Sequence, residues 1–586
     1  MIRDHFRLLK VDLTTGRGQV VTLEGRDLVA GGSGLAALIY QQFGKPAAPW
    51  NDPEQPLIFA IGPLTGYFPL MSKTVLGFKS PYHDQYAESH AGGRSAVALR
   101  FADLDALVIT GKAARPSVLS LGSRHLRIRE AHYLWGMDVH AVGKYLRRKH
   151  PGSGHRSILR IGPAGELGSA MACINVDSYR HFGRLGGGGA LGAKNLKAIV
   201  IQGDGNFPLP EGRGYARLFT EVHQKLTQTT MMQKYHNLGT PVNMGVLNDL
   251  KALPIRNLRE TSAPDISGIT GERFAQDTLL RNMACSGCPV GCIHLGFVRE
   301  RFHSDHRYYF RQVSYDHEPI FAVGAMLGIT DCFQVLDLID VTEKMGLDVM
   351  SAGVVLAWAA EATEQGVISE RETMVPLKFG DAKNFEAALR HLGQGANDFY
   401  RLLAQGAAKA ASYYGGQDYA CVLGQEMGGY ATGEVFFVSQ ALGFRHSHLD
   451  SGGYSYDQKN KDRDVAQALN FLVKDEEGRA LLTSMVACLF AREVYQEELL
   501  AACLNSLGYG TMAAQLPELS RRIQQLRWQT RLATGYDPAQ VKIPKRFTEI
   551  QTWKGPLDRE YLETLRLSYA RRIKELAVEG ASGQAG

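Results

Sequence analysis

The chain has 586 residues, 45% of them hydrophobic and 21% charged, with a formal net charge of +6. That length needs more than one core, and so mild a charge gives no reason to expect nucleic acid. No run of 18 or more apolar residues occurs and the first residues do not read as a signal peptide, so no membrane span is expected and the cytoplasm is the default location. The 64 glycines imply many tight turns and close backbone approaches.

Residues 6–23 alternate in polarity and turn at Thr14-Thr15-Gly16, a β-hairpin. Ala30-Gly31-Gly32-Ser33-Gly34 then opens a helix, and apolar strands are predicted around Leu57–Ile61, Leu107–Thr110 and Val118–Leu121. Two glycine-rich stretches lie within this β region. One runs from Ile61-Gly62-Pro63-Leu64-Thr65-Gly66 through Lys79-Ser80-Pro81 to His90-Ala91-Gly92-Gly93-Arg94; the other runs from Gly162-Pro163-Ala164-Gly165-Glu166 to Gly183-Arg184 and the glycines up to Lys194. Exposed backbone N–H groups beside Arg or Lys can hold phosphate oxygens, and a mobile loop is the plainer reading of either stretch. The Gly187–Lys194 segment is not a P-loop, because Ala193 intervenes before the lysine and Asn195 stands where Ser or Thr is needed.

From about residue 211 the pattern turns helical, over 211–250 and 320–415, with Phe333–Met345 and Ala352–Gln365 as examples. Between them lies Cys285-Ser-Gly-Cys288-Pro-Val-Gly-Cys292, three thiols two and then three residues apart in a tight loop. Converging soft ligands of this kind suit an iron–sulfur cluster, and a [4Fe–4S] cluster takes a fourth ligand from elsewhere in the chain. A zinc site completed by His294, or three unrelated thiols, are the alternatives. Eight cysteines in so long a chain, clustered rather than spread, read as ligands in a reducing compartment. Residues 297–311 are basic and aromatic, a solvated strand or loop, or else a surface for an acidic partner. Residues 455–530 are helical and 541–556 irregular. A last amphipathic helix is expected over about 557–577, with a frayed tail from 580.

In serial order, several short stretches resemble the aldehyde:ferredoxin oxidoreductase family. They are Lys10-Val-Asp-Leu-Thr-Thr-Gly16, Gly31-Gly32-Ser33-Gly34-Leu35, Gly62-Pro63-Leu64-Thr65-Gly66, Lys79-Ser80-Pro81, Asp105–Ala113, Gly162–Glu166, Gly183-Arg184, Ala193–Ile199 and the cysteine triplet. The resemblance covers most of the chain. It implies an α+β fold, with an N-terminal β-rich pterin-cradling domain over 1–210 followed by two mainly α-helical domains. Of these, 211–420 carries the cysteine triplet and first pterin motif, and 421–586 carries the fourth cluster cysteine. It also implies a tungsten-bis(pyranopterin) or its molybdenum form, one [4Fe–4S] cluster and a Mg2+ bridging the pterin phosphates.

Carried over by residue, the resemblance assigns Cys285, Cys288, Cys292 and Cys488 to the cluster, with Cys503 as competitor for the last place. Lys73, Lys79, His90, Gly92, Arg184 and Leu185 fall where the family contacts phosphates and magnesium. Lys73 stands where an arginine is usual, and His90 replaces an Asn whose role its backbone carbonyl can take. Glu343, Gly346, Leu347 and Asp348 form the first pterin motif, while the second is reduced to Thr483–Cys488. Glu318 matches the active-site glutamate, a proton acceptor expected to be tuned towards neutrality. A straight register puts Gly453 in place of the family histidine, leaving His446 and His448 as candidates and Arg445 as positive charge for an anionic substrate. The reaction implied is oxidation of an aldehyde to the carboxylic acid with water, electrons leaving through the cluster to ferredoxin or a ferredoxin-like iron–sulfur subunit, in a homodimer or hetero-oligomer. The alternatives are the catalytic subunit of another tungstopterin oxidoreductase or reductase complex with a non-aldehyde substrate, and an iron–sulfur relay subunit that has lost its pterin.

Overall fold

The structure, a computed structural model, describes residues 3–152, 155–301, 304–305 and 308–582. Its N-terminal part holds twelve strands in two sheets. In chain order these are β1 (Phe6–Asp12), β2 (Arg17–Leu23), β3 (Leu57–Ala60), β4 (Thr74–Lys79), β5 (Tyr86–Ala91), β6 (Ala106–Thr110), β7 (Ser117–Leu121), β8 (Leu126–Glu130), β9 (His155–Arg160), β10 (Ile174–Val176), β11 (Arg180–Phe182) and β12 (Leu196–Gly203). The first sheet has the order β2-β1-β6-β3-β4-β5 and the second β11-β10-β9-β12-β7-β8. β1–β6 and β7–β12 are the parallel pairs of these sheets.

Layering follows from which faces are apolar. β3, β4 and β6 are buried on both faces and read as continuous apolar runs rather than alternating ones. One face of the first sheet packs on the second through Phe59, Leu76, Leu107, Leu159 and Ile199. The opposite face, through Ile58, Val75 and Val108, packs on helix Gly32–Phe43 and joins the core of the helical region. The outer face of the second sheet is covered by helix Val139–Lys149.

Beyond β12 the chain is mainly helical. Helix Val349–Glu364 is buried almost all round and forms the apolar centre of this region. Helix His317–Val323 crosses it so closely that Gly353 packs against the backbone of Ala322 with no room for a Cβ. Core residues on both sides of residue 420 join one cluster. Residues 541–556 contain a 3-10 turn at Lys545–Thr548 and a two-residue ladder, and the last helix runs over Arg559–Ser582. The tail expected to fray from 580 therefore begins in helix, and 583–586 lie outside the described residues.

A three-stranded antiparallel sheet, β13 (Leu279–Met283), β14 (Ile293–Arg301) and β15 (Tyr308–Tyr315), carries the basic aromatic stretch. Its residues 302–303 and 306–307 lie outside the described ones. Arg311 is ion-paired to Asp337 and Asp340, so part of that stretch's charge is neutralised within the fold. Among the described residues no single helix is long and apolar enough to cross a membrane.

Candidate active site

The cysteine triplet is the connection between β13 and β14, with Gly287 and Gly291 at positive φ making its two sharp turns. Its backbone is tied to the N-terminal region, Ser286 N–H donating to Gly93 O (3.0 Å) and Leu70 N–H to Gly287 O (3.2 Å). Leu70 O in turn accepts from Cys488 N–H (2.9 Å), and Met71 bridges Ala487. Helix Val465–Ser484 delivers that segment, which lies directly on Gly62 just after β3 and on the first turn of helix Gly32–Phe43. A Cβ on Gly62 would stand 2.7 Å from the Met485 backbone, and Ser484 Oγ accepts from Gly34 N–H (3.0 Å). Glycine spacing in the first stretch thus serves to bring Cys488 to the triplet.

Cys285, Cys288, Cys292 and Cys488 are half-buried and line one cavity of about 1230 Å³; Cys173, which also lines it, and Cys332, Cys421 and Cys503 are buried. Cys503 sits outside this cavity in an apolar cluster. Burial raises the thiols, Cys288 to about 12 and Cys292 to about 11. At Cys285 the charges of Arg180 and Lys73 outweigh burial and draw the thiol down. A Cβ on Gly92 would lie 2.6 Å from Cys285 Sγ and 3.4 Å from Lys73 Nζ, so only glycine admits the thiol there. Among the described residues no three His, Cys, Asp or Glu side chains are gathered as one metal ion requires. His294 places both ring nitrogens against backbone carbonyls of Cys292, His236 and Asn237. The zinc reading therefore lacks its geometry, while four thiols spread around one wall suit the separate irons of a cluster.

Across the cavity, Glu318 stands in the first turn of helix His317–Val323. Its Oε1 is 3.1 Å from His448 Nε2 and accepts from Tyr430 Oη (3.0 Å). Burial pushes this carboxyl up, but the hydrogen bond and charge of His448 prevail and hold it at about 2. Asp316, two residues earlier, is driven up to about 7 by burial and then by the charge of Glu318, with Arg180 opposing. Of the two acids on this turn, Asp316 is the one raised and Glu318 the one held low. Asp316 is not among the expected residues although it lies in the same stretch; two acids on one buried turn are the signal that marks it. Tyr430 and Arg180, likewise unexpected, carry no local motif.

The other expected residues divide clearly. Asp348 caps helix Val349–Glu364, accepting from Met350 N–H and Ser351 N–H, and its Oδ2 also accepts from Arg184 Nε (3.1 Å). Gly346, at φ +73, ends helix Cys332–Met345, and the Leu347 bridge to Ala172 pins this motif to the N-terminal part. Glu343, Leu347, Asp348, Lys73, His90, Gly92, Arg184, Leu185 and Thr483 all line the cavity. Glu343 is buried, 3.3 Å from His181. His90 is in the neutral form at ordinary pH because burial and Arg445 lower it to about 4. Its Nε2 faces Glu88 (3.2 Å) and its Nδ1 faces Arg445 (3.1 Å).

Three expected residues lie outside the cavity, and one expected charge is paired. Lys79 donates to the carbonyls of Pro46 (2.9 Å) and Ala48 (2.6 Å), structural work on a loop. Gly346 is a turn. His446 points into the core, between Ala441 O (2.9 Å) and Arg531, so of the two histidines only His448 faces the cavity. Arg445 lines the cavity and is paired to Asp450 (2.7 Å), so the positive charge expected of it is partly neutralised within the fold. The glycines from 188 to 192 do not expose N–H groups to a ligand. They pack backbone to backbone against Gly165–Cys173, and between Gly183 and Lys194 it is Gly183, Arg184 and Leu185 that line the cavity.

The geometry agrees with what the chain is similar to. Models of the aldehyde ferredoxin oxidoreductase N-terminal domain and of its domains 2 and 3 match residues 8–203 and 217–573. The chain belongs to this family. It is 29% identical over 578 residues to the tungsten-containing aldehyde ferredoxin oxidoreductase of Pyrococcus furiosus, covering 94% of this chain and 92% of that protein. It is also 29% identical over 428 residues to the WOR-like subunit of an aliphatic sulfonate oxidoreductase from the same organism, covering 69% and 66%. Among solved structures, the active-site complex BamBC of benzoyl coenzyme A reductase with 1,5-dienoyl-CoA shares the fold, with a TM-score of 0.81 over 99% of this chain and 98% of that one at 18% identity. The protein is thus an oxidoreductase of a tungsten–pterin family.

Proposed function

We propose that this chain is a tungsten (or molybdenum) bis-pyranopterin enzyme that oxidises an aldehyde to the acid with water and passes the electrons through a [4Fe–4S] cluster to a ferredoxin or iron–sulfur subunit. The observation that carries this reading is one cavity with four half-buried cysteines and the Glu318–His448–Tyr430 group on its wall. The chemistry of the donors fits: four thiols for the cluster, Lys73 and Arg184 for phosphates, and Glu343 and Asp348 as acceptors for pterin N–H groups. When bound, the metal supplies Lewis acidity and takes up the electron pair. His448 Nε2 and Tyr430 Oη are fixed on ionised Glu318, which orients them towards a substrate. Asp316, titrating near neutrality, is the group able to take up and release a proton at working pH. The domain division at about 210 and 420, the cytoplasmic location and an assembly of two or more chains belong to the same proposal.

A second reading keeps the cofactors and changes the substrate. Lys234 and Arg492 line the cavity where it opens past Thr230 and Val246, and burial and then Arg492 lower the Lys234 ammonium. Two cations there against Glu493, 3.9 Å from Arg492, leave a net positive charge that favours a substrate with a carboxylate, sulfonate or phosphate. The test is anaerobic, tungstate-grown enzyme with a viologen dye and a panel of neutral and anionic aldehydes. Dye reduction by neutral aldehydes supports the first reading. None with any aldehyde, from enzyme loaded with W and Fe, overturns it.

A further inference from the structure

Residues 112–156 hold ten Lys and Arg against Glu130 and Asp138, a net +8 in a chain whose total is +6. The excess is concentrated on one face. Edge strand β8 carries Arg127 and Arg129, whose register opposite Ser120 and Val118 turns them to the side covered by helix Val139–Lys149. That helix ends in exposed Arg147, Arg148 and Lys149. Arg156 of β9 lies on the same side and donates to the carbonyls of Arg147 and His150. Among the described residues, Arg127, Arg129, Arg147, Arg148 and Arg156 form no ion pair with a carboxylate, and Arg115–Glu130 (3.1 Å) is the pair nearby. His150 registers this field, lowered by burial and then by Arg129 and Arg156.

The face runs up to the cysteine loop. A small cavity of about 90 Å³ is lined by Arg94, Arg147, Arg156, Tyr179, Arg180 and Ala284. Arg180 also lines the main cavity, where its charge acts on Cys285, and Gly93 O holds Ser286. Ala284, Gly287 and Pro289 of the loop are exposed, and Ala284 lines the small cavity with Arg94. We infer that this basic face is the docking surface for an acidic iron–sulfur electron carrier, guided to the cysteine loop by charge. A second copy of this chain is disfavoured, because an isologous contact would set +8 against +8. Nucleic acid would match the charge, but has no use for a loop of cofactor cysteines at the rim.

The inference rests on the cluster reading under Proposed function. At the contact one electron leaves the reduced cluster of this chain and reduces one oxidised cluster of the carrier, twice per two-electron substrate oxidation, with no bond made or broken. Steering of this kind raises association rates and falls steeply with salt.

The test uses the holoenzyme with Arg94→Glu/Arg147→Glu, and with Arg521→Glu/Arg571→Glu as an equal charge change on exposed helical positions elsewhere. Binding of an acidic [4Fe–4S] ferredoxin is measured by titration calorimetry at low and high salt, alongside carrier and viologen reduction. The expected result is a loss of carrier affinity of about tenfold or more at low salt, with viologen reduction unchanged, while the control pair matches wild type. Wild-type carrier affinity in Arg94→Glu/Arg147→Glu, an equal loss in the control pair, or tighter binding of double-stranded DNA than of ferredoxin would each overturn it. Absence of W, Fe and viologen turnover would instead count against the enzyme reading, and the binding titration still decides the surface.

Discussion

Glu88 of β5 is bonded through both oxygens to Arg527 in helix Leu516–Ala533, 439 residues away (3.0 and 3.2 Å), and both side chains are almost fully buried. Burial alone would raise this carboxyl, but Arg527 and then His90 bring it to about 2 from an ordinary 4.5. A carboxyl held about 2.5 pH units low stabilises the fold by about 3 kcal/mol at neutral pH. Because the folded-state value is depressed, that stability is complete above about pH 4.5 and is lost as pH falls towards about 2. Glu88→Gln should therefore cost about 3 kcal/mol at neutral pH, the low end of the range for orphaning a buried charge, since Glu476 and Asp450 still face Arg527. The gap to wild type should narrow by about 1.4 kcal/mol by about pH 3.5. Replacing Arg527 by Met in the same chain should recover part of the loss by removing the orphaned cation. Urea unfolding followed by tryptophan fluorescence is the assay, with buried Trp528 one residue from Arg527 as reporter. A variant within about 0.5 kcal/mol of wild type at neutral pH, or a gap that stays constant on acidification, would refute the reasoning.

Three further outcomes follow from the site. Gly92→Ala should displace Cys285 Sγ by about 1 Å and lower iron per chain, because the new methyl would stand at 2.6 Å; full iron content in this variant would count against the packing argument. Cys488→Ser should lose cluster iron while Cys503→Ser keeps it, read by iron analysis and by electron paramagnetic resonance of the reduced protein; the reverse result would exchange their roles. Asp316→Asn should lower the rate about 10²–10⁴-fold and abolish the rise in activity with pH through about 7, the range in which burial and Glu318 place its ionisation. An unchanged pH profile would remove Asp316 from the proton path.

Local features were legible in the residues. The hairpin, the glycine-opened helix, the cysteine loop and the helix ending at Met345 each depend on a few neighbouring positions and appear where expected. What the residues did not reveal depends on which segments fold against one another, from five positions apart to several hundred. Arg445 reads as a free cation until Asp450 and His90 are folded against it, and the Glu88–Arg527 pair has no sequence signature. The difference between His446 and His448 is one of direction, set by the left-handed backbone at His446 (φ +50) that turns its ring towards Arg531. The glycines from 188 to 192 look alike as a phosphate loop or as close packing, and only the opposing backbone of Gly165–Cys173 decides between them.

The central claim is a metal–pterin centre beside a four-iron cluster. Elemental analysis of anaerobically purified protein, from cells supplied with both tungstate and molybdate, tests it most directly. The account predicts about one W or Mo and about four Fe per chain. About four Fe with neither W nor Mo would contradict it and leave an iron–sulfur relay subunit, and zinc in place of iron would remove the cluster as well.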